Sequence, residues 1–291
     1  MTTSATTAGS VLVLGSANLD LVVTSERHPE PGETLIGGDY SEHPGGKGLN
    51  QAVASARAGA TTRFVAAVGA DSAGDVLLGV ADDAGIDTNG VVTVDRPTGR
   101  ALIVVSASGE NSIVVVPGAN TLCPTASAID TDVLVAQLEV PIEVVTSSFV
   151  AARDAGATTV LNPAPATPLP PELLAVVDVI VPNEHEVDLL GGVDALLASG
   201  VGAVVVTLGE RGARVHTEGR VAQVDSLTVD AVDTTGAGDT FTGYLAAGLS
   251  EGLDLVSAAT RGCAAGALAT TRAGAVPSIP SRAEVDAVSG V

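Results

Sequence analysis

The chain has 291 residues and 28.5 kDa, with 34 acidic against 13 basic residues and a formal net charge of −21. That balance excludes a basic footprint for a nucleic-acid backbone or an anionic membrane surface, and no apolar run approaches the ~18 residues of a membrane span. Aromatics are only 2% and Trp is absent, so the core must be built from Ala, Val, Leu and Ile; a mean hydropathy of +0.42 excludes a disordered chain.

Met1–Ser10 has neither a basic n-region nor an apolar h-region and reads as a short disordered tail, residues 1–10, before an α/β domain over residues 11–291. Cys123 and Cys263 are far apart and form no CxxC, as in a reduced cytoplasmic protein. Twelve of the thirteen bases are arginine, and the single lysine is Lys47. Heavy acid with almost no lysine fits a salt-rich cytoplasm, where screening makes self-repulsion tolerable.

Val-rich runs predict strands at Val11–Gly15, Arg63–Gly69, Asp132–Leu138, Thr158–Asn162, Val176–Asn183 and Ala203–Gly209. Their continuous apolar character suits strands buried on both faces of a parallel sheet. Helices are predicted at Gly48–Ala58, Ala73–Ala84, Pro141–Ala155, Glu184–Leu190, Ala237–Ser250 and Leu255–Thr271. The alternation gives a three-layer α/β/α fold with a mostly parallel central sheet. Two more polar segments punctuated by Gly and Pro, residues 20–40 and 91–116, predict a small antiparallel lid sheet over the carboxyl ends of the parallel strands.

Chemistry-bearing residues cluster at the ends of these runs. Gly15-Ser16-Ala17-Asn18-Leu19-Asp20 places Asn18 and Asp20 on one face of an extended chain, a donor and an acceptor suited to vicinal hydroxyls, with a turn plus a cap as the alternative for this pair and for the loop that follows. His43-Pro44-Gly45-Gly46-Lys47-Gly48-Leu49-Asn50-Gln51-Ala52 is a glycine loop entering a helix, and it holds the only lysine. Gln137-Leu138-Glu139 ends a buried strand with a carboxylate. Asn183-Glu184-His185-Glu186 starts a helix after a strand, and its Asn183/Glu186 pair is either a holder of water-coordinated Mg²⁺ and phosphate or a capping box. Thr207-Leu208-Gly209-Glu210-Arg211-Gly212 is a strand-to-turn glycine loop, equally readable as a hairpin. Val232-Asp233-Thr234-Thr235-Gly236-Ala237-Gly238-Asp239-Thr240-Phe241 opens a long small-residue helix. Its glycines leave amides bare at a helix N-terminus, an anion site by geometry and dipole. Asp239 in the first turn can accept a hydroxyl proton during phosphoryl transfer; a glycine turn with acid-rich capping is the alternative. His28, His43, His185 and His216 show no metal-ligand spacing.

Taken in order, GSANLD, GGKGLNQA, QLEVP, LNPAP, PNEHE, TLGERG and DTTGAGDTF resemble the ribokinase-like, PfkB-type carbohydrate kinases from about Val11 to Pro280. The resemblance implies ATP-dependent phosphorylation of the primary 5-hydroxyl of D-ribose. The alternatives are another sugar or nucleoside as acceptor, or a non-catalytic sugar-binding protein. It implies sugar contacts at Asn18, Asp20, Gly46, Lys47, Asn50 and Glu139, with Asp239 as base and the Gly236, Ala237 and Gly238 amides as anion hole. It further implies nucleotide contacts at Asn183, Thr207, Gly209, Gly212, Gly238 and Cys263, the last standing where the family has an adenine-side histidine. Glu186 is expected to serve Mg²⁺ through water. An activating K⁺ is expected between Asp233, Thr235, Ala269, Arg272, Gly274 and Ser278. An exposed lid edge implies a homodimer through the lid sheet. The chain departs from the family in its short segments at residues 121–131 and 191–201.

Overall fold

The computed structural model describes residues 9–127 and 129–290. Nine strands form one sheet in the order β13-β12-β11-β10-β9-β8-β1-β4-β5. Seven are parallel: β1 (Ser10–Leu14), β4 (Thr61–Gly69), β5 (Asp87–Val94), β8 (Val133–Ala136), β9 (Thr158–Leu161), β10 (Val179–Ile180) and β11 (Ala203–Thr207). A hairpin of β12 (Ala213–Thr217) and β13 (Arg220–Val224) continues one edge antiparallel. The alternating side chains of β1 divide between two cores. Val11 and Val13 pack with α1 (Lys47–Arg57), α2 (Ser72–Asp83), α7 (Ala237–Ser250) and α8 (Leu255–Ala269); Leu12 and Leu14 pack on the other face, against α3 (Ile142–Asp154). The three-layer α/β/α expectation stands.

Small residues set how closely the helices approach. Gly243 in α7 faces α1 so tightly that a Cβ there would lie 2.5 Å from the Ala54 Cβ and 2.7 Å from the Gln51 carbonyl oxygen. This contact brings the N-terminal half of α1 against the first turn of α7.

A second sheet, in the order β3-β2-β6-β7, rises from the body: β2 (Asn18–Ser25), β3 (Tyr40–Gly45), β6 (Gly99–Ser106) and β7 (Asn111–Val116). It differs from the expected antiparallel sheet because β2 and β6 pair parallel, Asn18 opposite Gly99. Both strands leave the same end of the parallel body in the same sense, so they meet side by side in one direction. The β2–β3 and β6–β7 pairs are antiparallel.

The expected lid bounds also shift. Residues 91–94 belong to β5, which extends the main sheet beside β4, with Val91 packed on the core. This edge strand is half exposed and therefore reads as polar. At the N-terminus, residues 1–8 of the expected tail lie outside the described residues. Gly9 and Ser10 are structured: the Gly9 carbonyl accepts the Thr61 amide at 2.9 Å, and the Ser10 amide donates to Asp132 at 2.8 Å. Among the described residues, the short segments noted in the sequence hold the end of a 3₁₀ turn, Gly118–Leu122, and the short helix α6 (Val193–Ala198).

Candidate active site

Every parallel strand from β1 to β11 in this half of the sheet delivers a polar residue just past its carboxyl end, where open α/β sheets bind ligands. β1 leads to Ser16 and Asn18, β8 to Gln137 and Glu139, β9 to Asn162, and β10 to Asn183; Thr207 ends β11. On one side of Asp239 lies a polar cluster beneath the second sheet. On the other lies a cleft of about 580 Å³ lined by Lys47, Asn162, Asn183, Glu186, Thr207, Gly209, Gly236, Gly238 and Asp239, among others.

The polar cluster is fixed by hydrogen bonds from the body. Glu139 accepts from the Ser16 hydroxyl at 2.5 Å, the Lys47 amide at 3.2 Å and the Asn18 side-chain amide at 3.4 Å. Asn120, buried in the 3₁₀ turn, accepts the Ala17 amide at 3.0 Å and donates to the Asn18 carbonyl oxygen at 2.7 Å. The Asn120 donor holds the Asn18 side-chain oxygen on that side and so turns the Asn18 NH₂ group toward Glu139. Gly46 has φ +89, and a Cβ there would sit 2.6 Å from the Asn18 amide nitrogen, so only glycine lets this loop lie on β2. The Asp20 carboxylate lies over Gly45, where an added Cβ would come within 2.3 Å of it. Burial, with Glu139 and Asp239 adding repulsion, pushes the Asp20 carboxyl up to about 7.

Asp239 is the third residue of α7 and 7% exposed. One carboxylate oxygen accepts from the Asn50 side chain and the other from Gln51, both at 2.9 Å. Lys47 is held protonated above its ordinary value by Asp239, with Glu139 and Glu186 adding to this against burial. The one lysine therefore feels acids on both sides of the site. Gly236 caps α7 in the left-handed region at φ +73. Among the described residues, no protein acceptor meets the amides of Gly236 and Gly238, whereas the Ala237 amide donates to the Thr234 carbonyl at 3.2 Å. The expected anion hole thus has two free donors rather than three.

The remaining expected residues divide. Asn183 and Glu186 form a reciprocal capping box, with bonds of 2.8 and 2.9 Å, and both line the cleft. The box occupies only one Glu186 oxygen and leaves the other for a ligand. Gly209 lines the cleft; Gly212 lies against the hairpin, where a Cβ would come within 2.0 Å of the Val224 carbonyl oxygen. Cys263 is not on the cleft wall. It is 5% exposed in the core, and burial pushes its thiol up to about 12. A small thiol on the inner face of an Ala/Gly helix packs where a larger ring would project.

Asp233 ties two loops together. One oxygen accepts from the Thr235 amide at 2.9 Å and the Thr235 hydroxyl at 2.7 Å; the other accepts from the Gly274 amide at 2.8 Å. Ser278 is buried, and its hydroxyl donates to the Ala275 carbonyl at 2.7 Å. The Arg272 guanidinium pairs with Glu284, and the Ala269 carbonyl accepts the Arg272 amide at 3.2 Å. One carboxylate, a hydroxyl and main-chain carbonyls make a hard-oxygen donor set that fits an alkali cation. Among the described residues, no group of three or more His, Cys, Asp or Glu could hold a metal ion.

The pfkB family carbohydrate kinase model matches residues 8–282. The chain belongs to this family. The Staphylococcus aureus ribokinase is 41% identical over 96% of this chain and 99% of its own length. That of Haemophilus influenzae is 40% identical over 94% and 96%. A solved structure of Arabidopsis thaliana ribokinase complexed with ribose and ATP superposes with a TM-score of 0.89 at 32% identity, covering 98% of this chain and 99% of that one. Family membership makes the chain a carbohydrate kinase.

The sequence reading assigned no role to Ser16, Gln51, Asn120 or Asn162, all of them buried. The signal available was a polar residue in an otherwise apolar context, as with Gln51 in an Ala/Val helix.

Proposed function

We propose that this chain is a ribokinase, transferring the γ-phosphoryl group of ATP to the 5-hydroxyl of D-ribose. The observation that carries the reading is Asp239, held by Asn50 and Gln51 at the junction of a polar cluster and an open cleft, beside the free Gly236 and Gly238 amides. Asn18, Asp20, Gly46, Lys47, Asn50 and Glu139 take the sugar hydroxyls. Asn18 offers its NH₂ group and the two carboxylates accept, which suits a polyol. Asp239 takes the proton of the attacking hydroxyl, a task that needs little basicity because the transition state is loose and positioning dominates. The Gly236 and Gly238 amides, at the positive end of the α7 dipole, and the Lys47 ammonium receive the charge of the transferring group.

The cleft beside Asn183, Thr207 and Gly209 takes the nucleotide. Glu186, with one free oxygen, would hold Mg²⁺ through water, and the Asp233–Ser278 donor set would hold K⁺. When bound, these ions supply positive charge to phosphates that the chain meets with a single lysine. No described helix is long and apolar enough to cross a membrane, and the reading places the enzyme in the cytoplasm with its ATP. A homodimer through the lid sheet is supported by β7, an edge strand exposing Ile113, Val114, Val115 and Val116.

A coupled ADP-release assay over pentoses, deoxyribose, hexoses and nucleosides, with and without K⁺, tests the reading. Turnover highest on D-ribose and raised by K⁺ is expected. Turnover on nucleosides but not on ribose would sink the ribose assignment.

A further inference from the structure

The donors that hold Asp239 are not equivalent. Asn50 belongs to the polar cluster, so the oxygen it bonds is on the sugar side. Gln51 is fully buried, and its side chain cannot reach a ligand. Its NH₂ group donates one hydrogen to Asp239 at 2.9 Å and the other to the Asn162 carbonyl oxygen at 3.1 Å. Its carbonyl oxygen accepts from Gln137 at 2.5 Å, and Asn162 in turn donates to the Val181 carbonyl at 2.9 Å. The direction of every amide in this chain is dictated by one end: an ionised carboxylate only accepts, so Gln51 must turn its NH₂ group to Asp239. Its carbonyl must then meet a donor, which Gln137 supplies. Gln137 leaves its own carbonyl oxygen buried without a partner, a cost of roughly 1–3 kcal/mol that apolar residues at these positions would avoid. A buried polar network maintained at that cost points to a role other than stability.

Resting on the proposed role of Asp239 as base, we infer that Gln51, braced by Gln137, is the positioning residue that fixes the inward oxygen of Asp239 and thereby aims the other at the attacking hydroxyl. Gln51 joins the ends of β8 and β9 directly, and that of β10 through Asn162, to the first turn of α7, so the carboxylate is registered against the floor of the site. Removing the donor lets the carboxylate rotate about its side-chain torsions and leaves one oxygen without a partner. Turnover then falls while the sugar contacts, made by Asn18, Asp20, Asn50 and Glu139, remain. The other charged groups facing Asp239, Lys47 and Asp20, are untouched by the substitution.

The test compares Gln51→Leu, Gln51→Glu, Gln137→Leu and Asp239→Asn by steady-state ADP release across pH, with sugar affinity by calorimetry and folding by circular dichroism. Gln51→Leu is expected to lower kcat about 10- to 100-fold with the sugar KM within about threefold, because misplacement acts on the chemical step. Gln51→Glu keeps the shape and the acceptor for Gln137 but withdraws the donor from Asp239, so its kcat should fall at least as far as that of Gln51→Leu. Gln137→Leu leaves Gln51 in place without its brace and is expected to show a smaller loss in the same direction; it carries the test if Gln51→Leu does not fold. An inactive Asp239→Asn together with normal kcat in the glutamine variants overturns this inference alone. A kcat loss that tracks a parallel rise in the sugar KM also overturns it, as a structural effect. An active Asp239→Asn overturns the proposed base itself.

Discussion

Gly243→Ala is the substitution that most directly probes how this fold builds its site, since it adds one methyl group at the α1–α7 contact. Two opposing effects act. In a helix interior, Ala is favoured over Gly by roughly 0.5–1 kcal/mol. Against this, the new Cβ would lie 2.5 Å from the Ala54 Cβ and 2.7 Å from the Gln51 carbonyl oxygen, where carbon atoms prefer about 3.5–4.0 Å. Neither neighbour is the end of a flexible side chain, so the helices must part by about 1 Å. Overpacking of this kind costs about 1–3 kcal/mol, so the clash wins. The displaced segment carries Asn50 and Gln51, both bonded to Asp239, and a misplacement near 1 Å is worth about 100-fold in rate. Thermal melting and ADP release should therefore both fall, with kcat reduced far more than the folded fraction. Gly79→Ala is the control: Gly79 lies in α2, with nothing within 4 Å of an added Cβ, and should gain about 0.5–1 kcal/mol. Unchanged melting and turnover in Gly243→Ala would refute the reasoning.

Three further outcomes follow from the electrostatics. Asp20 ionises at about 7 in the fold against 3.8 in the unfolded chain, so stability is fully present below pH 4 and is lost as pH rises through 7; Asp20→Asn should raise Tm at pH 8, with the gain shrinking toward pH 4. Glu251 sits between Arg261, at 2.8 Å, and Arg282, with the Arg261 and Glu251 side chains only 6% and 9% exposed; Glu251→Ala strands a buried guanidinium and should cost about 3–5 kcal/mol in a denaturant titration. The surplus of acids over bases, 34 against 13, implies that raising KCl from 0.1 M to 1 M, which shortens the screening length from about 10 Å to about 3 Å, raises Tm; a flat or falling Tm would contradict the salt-adapted reading of the coat.

Much of the fold was legible because continuous Val runs mark strands buried on both faces, and β1, β4, β8, β9 and β11 fall where those runs lie. β5 was not, since an edge strand half open to solvent reads as polar loop. The parallel β2–β6 pairing was equally invisible, because strand direction is set by where each strand leaves the body. Within the site, residue type and spacing singled out Asp239 and the glycine loops as candidates, and the ordered resemblance of the motifs, not any one of them, favoured the site reading over turns and caps. The buried amides of Gln51, Gln137, Asn120 and Asn162 bond across separations of 19 to 188 residues, which no local pattern reports. Resemblance assigned Gly212 and Cys263 to the nucleotide; in the fold Gly212 lies against the β13 end of the hairpin and Cys263 packs in the core.

The central claim is that Asp239 is the base for transfer to a sugar hydroxyl. Asp239→Asn keeps the shape and the first turn of α7 while removing the acceptor of the proton. With D-ribose and ATP, the expected result is a kcat reduced by several orders of magnitude with ribose affinity by calorimetry within about threefold. Near-normal kcat in that variant would contradict the claim.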